Sequence, residues 1–151
     1  RAPDLAWQRP SRFIQVTGKG LEKLSSIFVD FAKENIEGVS DETLQKYKDA
    51  PFRAPMIIIL VSEIKIHPKV PEIEQMFSTA AAAENILLAL NALNYAGMWR
   101  TGVFALNEKI SKYLKLKDNQ KVIGYLYVGT ATGKQKKIPE MNISEFVTEW
   151  I

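Results

Sequence analysis

Side chains able to do covalent or metal chemistry are scarce in this chain of 151 residues, which has no cysteine and a single histidine, His67. Without a thiol there is no disulfide, no zinc-thiolate site and no thiol nucleophile, and one imidazole cannot build a multi-histidine metal centre. We therefore expect no metal and no side chain that is itself the catalytic group. His67 sits between Ile66 and Pro68, in a segment marked again by Pro71, and reads as a loop residue. What remains is charge and hydrogen bonding. Trp99-Arg100-Thr101 sets an indole, a guanidinium and a hydroxyl side by side, following a long apolar segment. On residue types alone, Arg100 there would cap helix carbonyls and stack on the indole. Asn85 and Asn91, on the same apolar segment, read as buried polar groups satisfied across an interface.

The elements that must position these residues follow from periodicity. Arg12–Thr17 is rich in β-branched and aromatic residues and runs into Gly18-Lys19-Gly20, a strand and then a turn. From Leu21 to about Asn35, apolar residues at Leu24, Ile27, Phe28 and Phe31 recur at helical spacing. Ser40 is a candidate N-cap for a short helix Asp41–Asp49, which Pro51 ends. The unbroken apolar run Met56–Val61 predicts a central strand covered on both faces. Glu72 to about Tyr95, free of glycine and proline, predicts the longest helix, apolar nearly all round and so expected to be buried, with Gly97 as its left-handed cap. Asn107–Leu116 reads as a further helix and Lys121–Val128 as another strand. The aromatics Phe28, Phe31, Phe77, Tyr125 and Tyr127 are expected in the core.

The net charge of +3 is small, and the lysines and arginines are spread along the sequence, with a basic patch at Lys134, Lys136 and Lys137. Such an excess suits an anionic small molecule as well as it suits nucleic acid. Nucleic-acid binding is not expected, because the basic tail lacks interleaved aromatics. No apolar run approaches the roughly 18 to 20 residues of a membrane-spanning helix, and nothing reads as a secretory leader, so the expected location is the cytoplasm. A tail closing in Phe146-Val-Thr-Glu-Trp150 is expected to dock on something. One domain covering 1–151 is expected, with helices layered on few strands, an α+β class, and the long apolar helix suggests a homodimer.

Several short stretches, in one order along nearly the whole chain, then carry a resemblance: Arg1-Ala-Pro-Asp4 with Pro10-Ser-Arg-Phe13; Ala50-Pro-Phe-Arg-Ala-Pro55; His67–Gln75 with Lys69-Val-Pro71; Ala89–Gly102 around Gly97-Met-Trp-Arg-Thr101; and Val122–Thr130. The chain resembles the short bacterial members of the nitroreductase family, NAD(P)H nitroreductases that bind FMN. The resemblance implies a three-layer sandwich with a mixed central sheet flanked by helices, in an intertwined homodimer with the cofactor at its interface. It implies that Arg1, Leu5 and Trp99-Arg100-Thr101 line the flavin, and that Ala89, Leu90, Asn91, Ala92, Leu93 and Asn94 lie where nicotinamide-cofactor contacts fall. NADH or NADPH would supply electrons, and a nitro compound, quinone or similar small acceptor would receive them by a ping-pong mechanism. In that scheme the flavin carries the chemistry and the protein supplies orientation and charge, with Arg1 and Arg100 placed to stabilise a reduced ring or grip a phosphate.

Two departures accompany the likeness. The family's leading helix with an Arg-Ser pair for the FMN phosphate does not precede Arg1 in this text, and Leu5 and Ser11 stand where relatives have histidine and an aromatic. They keep open a second reading, a protein that retains the fold as a binding or structural scaffold and holds flavin weakly or not at all.

Overall fold

The β-branched run that marks the central strand forms β2 (Met56–Glu63), with an ordered partner along each edge. In the computed structural model, which describes residues 1–133 and 137–150, β1 (Ser11–Thr17) pairs one side of β2 and β4 (Gln120–Gly129) the other. β3 (Ala96–Arg100) closes the far edge against β4, giving the order β1-β2-β4-β3. Every pairing among the described residues is antiparallel, so the mixed sheet expected above is corrected. The physical reason is the path of the chain. β2 and β3, joined through one helix, run the same way, but the return from β3 threads β4 between them, so no two neighbours are parallel.

Alternating residues of β2 face opposite layers. Ile57, Ile59 and Val61 join a core with Leu21, Leu24, Phe28 and Phe31 of α1 (Lys19–Asn35) and Ile110 of α4 (Glu108–Tyr113). Met56, Ile58 and Leu60 meet Met76, Ala80, Ala83, Leu87 and Leu90 of α3 (Glu72–Ala92) on the other face. Helix, sheet and helix are thus the three layers. α2 (Asp41–Asp49) packs on α1 and starts as its sequence predicts, the Ser40 hydroxyl accepting the Thr43 N–H. In β4 a bulge interrupts the ladder: Leu60 pairs Gly124 and Val61 pairs Val122, leaving Ile123 extra. Val122, Tyr125 and Tyr127 consequently face α1, whereas Ile123, Leu126 and Val128 face α3.

α3 departs most from expectation. Its inward stripe of Gln75, Ser78, Thr79 and Ala83 is buried, but Phe77 is 62% exposed and Leu88 60% exposed, and Asn85 and Asn91 are also at the surface of the chain. A helix apolar all round needs two covers, and one chain supplies one. Nor does Gly97 cap it. Gly97 lies within β3, and the left-handed residue is Asn94 (φ 62°), with Tyr95 N–H donating to the Leu90 carbonyl and Asn94 N–H to that of Asn91. This is a Schellman end with asparagine in the position usually given to glycine.

Candidate functional site

The turn after β3 begins the site. Gly102, at φ +59°, redirects the chain into a 3-10 turn, Gly102–Phe104, a conformation that a residue with a Cβ adopts at a cost. The turn drives Phe104 onto Phe28, their rings stacked with centroids 3.9 Å apart. Tyr47 of α2 meets the same ring edge-on at 4.8 Å, and the buried Tyr125 hydroxyl donates to the Phe104 carbonyl at 2.7 Å. Burial pushes the Tyr125 phenol well above the ordinary tyrosine range, so it remains a neutral donor.

Above this aromatic floor opens a cavity of about 780 Å³. One helical face of α2 and the turn after it contributes Lys46, Tyr47, Ala50 and Arg53, and the β3 end contributes Met98 to Thr101. The rim carries Lys46, Arg53 and Arg100 and no carboxylate. Lys46 is paired with Glu42 at 2.8 Å, whereas neither Arg53 nor Arg100 has an ion-pair partner among the described residues. The two guanidiniums act on one group, the Tyr127 phenol, which burial pushes up and which Arg100 and then Arg53 draw back down. A smaller cavity of about 300 Å³ adjoins it across Arg53, Met98, Arg100 and Tyr127 and reaches Thr130.

Of the residues the sequence nominated, Trp99, Arg100 and Thr101 come together here. Their roles differ by strand alternation: Arg100 pairs across from Tyr125 on the α1 face, while Trp99 pairs across from Leu126 and its indole joins the apolar cluster on the α3 face. Arg100 therefore neither caps α3 nor stacks on Trp99. Arg1 and Leu5 lie elsewhere in the chain. They precede β1, at the opposite edge of the sheet, where a 3-10 turn at Leu5–Trp7 rests on α3, the Ser78 hydroxyl donates to the Pro3 carbonyl, and the Arg1 guanidinium sits 4.3 Å from the Trp7 ring centre. Ser11 donates its hydroxyl to Thr79 at 3.3 Å. His67 is a loop residue, its Nδ1 accepting the Lys69 N–H.

Ala89–Asn94 form the C-terminal end of α3 and line neither cavity. Within the single chain all of them but the half-buried Leu90 are exposed. Phe77, expected in the core, is likewise outside it. Lys134 and Lys136 fall outside the described residues. Reading the sequence missed Lys46, Arg53 and Tyr47. Arg53 stood within Ala50–Pro55, already quoted for its likeness, and Lys46, Ala50 and Arg53 share helical spacing; their meeting with β3 is a long-range contact that no local pattern encodes.

Comparison with known proteins completes the picture. The family model described as "Nitroreductase family" matches residues 1–130. The chain is 32% identical over 130 residues to YdjA of Escherichia coli K12, provisionally named an NAD(P)H nitroreductase, a match covering 86% of this chain and 70% of that protein. It is 30% identical over 152 residues to a Haemophilus influenzae protein with the same provisional name, covering 98% of this chain and 80% of the other. Among solved structures, the nitroreductase-like family protein from Bacillus cereus superposes with a TM-score of 0.80 at 17% identity, over 97% of this chain and 76% of that one. The FMN and NADPH-dependent nitroreductase NfnB of a Sphingopyxis strain ("sphigopyxis sp. strain HMH") gives 0.74 at 16% identity, over 99% and 83%. At these identities the structural likeness speaks for the fold.

Proposed function

The chain belongs to the nitroreductase family, and on that premise we propose that it is a homodimeric, FMN-dependent oxidoreductase of the cytoplasm that passes electrons from NADH or NADPH to a small nitro or quinone acceptor in two half-reactions. FMN, when bound, supplies the two-electron chemistry. The observation that carries the reading is the cavity itself: an aromatic floor of Phe28, Tyr47, Phe104 and Tyr125 under a rim of Lys46, Arg53 and Arg100 with no acidic side chain. A planar ring bearing an anionic arm fits such a lining, and about 780 Å³ falls in the range of roughly 300–1,000 Å³ usual for small-molecule sites.

The chain's own residues then have separable tasks. Arg100 and Arg53 hold negative charge, on a phosphate or along the edge of the reduced ring, through charge-assisted hydrogen bonds. Thr101 offers a hydroxyl beside Arg100. The neutral Tyr125 and Tyr127 keep the floor free of competing charge. Ala89–Asn94, exposed beside the turn into β3, present the surface proposed for the nicotinamide nucleotide.

The dimer is proposed from what one chain leaves uncovered: Ile73, Phe77 and Leu88 along α3, and Phe146, Val147 and Trp150 in the tail. An apolar surface of that kind marks an interface. We propose that a second copy meeting α3 brings its own N-terminal segment toward the β3 edge, so that residues with one implied task, which lie at opposite edges of a single chain, meet across the interface.

The deciding experiment is an absorbance spectrum of the purified protein with FMN, then anaerobic addition of NADH or NADPH. Flavin bands that bleach support the reading and name the donor. A protein that stays colourless with FMN in excess sinks it and leaves the scaffold reading.

A further inference from the structure

Gly124 lies in the bulge of β4, on the face toward α3, diagonally across from Trp99. A Cβ built there would come within 2.0 Å of the Trp99 Nε1, 2.8 Å of its Cε2 and 2.9 Å of its Cδ1. Contacts that short do not occur, and the atoms met belong to a rigid bicycle packed against the cluster of Leu60, Ala83, Ile123, Leu126 and Val128, not to the free end of a flexible chain. The absent side chain is therefore a seat: the Nε1 edge of the indole abuts the backbone of β4 at Gly124 because no side chain rises between them. Gly124 itself has no left-handed φ, so close approach and not backbone conformation demands the glycine.

The seat bears on the site because Trp99 and Arg100 are consecutive on an edge strand of five residues. Among the described residues β3 is hydrogen-bonded on one side only, to β4, so the depth at which the indole rests sets how far Arg100 and Thr101 project over Tyr125 into the cavity. We propose that Gly124 is a positioning residue of the cofactor site: by seating the Trp99 indole it fixes the β3 edge and aims Arg100 and Thr101 at the bound anion. This rests on the reading that Trp99–Thr101 line the FMN site.

The test uses the full chain in a Trp7→Phe/Trp150→Phe background, where Trp99 is the one remaining indole. Acrylamide quenching of the apoprotein reports the seat, and titration with FMN reports the site. Gly124→Ala is expected to raise quenching and to weaken FMN binding about tenfold or more, because overpacking forces the indole out. Trp99→Leu removes the indole, and adding Gly124→Ala to it is expected to cost little further affinity, the signature of two residues acting through one contact. Unchanged quenching in Gly124→Ala, or losses that simply add in the double variant, would overturn the proposal. Wild-type protein that binds no FMN at all overturns the functional reading beneath it, and the quenching contrast still decides whether Gly124 seats the indole.

Discussion

The two faces of the sheet are built from similar residues and finished differently. Toward α1, Phe28, Phe31, Phe104, Tyr125 and Ile110 are buried within one chain, their rings stacked or edge-on, and α2 lies over the top. Toward α3, the sheet side is also apolar, but the covering helix turns Ile73, Phe77 and Leu88 outward as well. The difference teaches where self-sufficiency ends: one core closes by itself and carries the cavity on its rim, while the other is half of something larger.

Phe28→Ala attacks the closed face at its centre and is expected to give the largest effect, roughly 3–5 kcal/mol of stability lost, read as a lower urea midpoint. The cavity beside it should lose its floor in the same variant. Phe77→Glu attacks the open face. A charge in the middle of the proposed interface is expected to cost association at least about 2 kcal/mol, some thirtyfold in dissociation constant, with the helical circular dichroism unchanged. Sedimentation that is the same for Phe77→Glu and wild type would break the comparison, since the open face would then need no partner.

Tyr125→Phe sharpens it. The Phe104 carbonyl loses its buried donor, at a cost of about 1–3 kcal/mol. The pH dependence has a definite sign. Burial raises the folded-state pKa of Tyr125 above the unfolded value of about 10, so its contribution is intact below that pH and is lost as pH climbs above it. The alkaline unfolding limb should therefore flatten in Tyr125→Phe. Smallest is Thr79→Val, on the α3 side, where a buried hydroxyl joins Ser11 and Ser62; about 1 kcal/mol is expected in the same urea assay.

Local signals in the sequence matched the structure where one residue decides. Ser40 with the N–H of Thr43 set the start of α2, and the β-branched run at Met56 set the central strand. Signals failed where two candidates competed or where distance mattered. Gly97 looked like the helix cap, yet Asn94 tolerates the left-handed geometry and comes first; Gly97 is small for another reason, since a Cβ there would press on Leu87 and Leu90. The bulge at Ile123 carries no local signature, being a mismatch between strands. Of the site, Trp99–Thr101 was legible only through family likeness. Arg53 and Lys46 join it by a fold-back from α2 that no periodicity describes.

That bulge makes β4 a strand written in two reading frames. Before Ile123 one parity of residue number looks toward α1, and after Gly124 the other parity does. Deleting Ile123 would close the bulge and leave both halves facing as they do, whereas losing a residue elsewhere along the strand would turn the stretch beyond it inside out, whatever its composition. Substitutions along this strand can be repaired one side chain at a time, but away from the bulge its length cannot, so natural variants of this chain are expected to drift in spelling here while keeping the count on either side of Ile123.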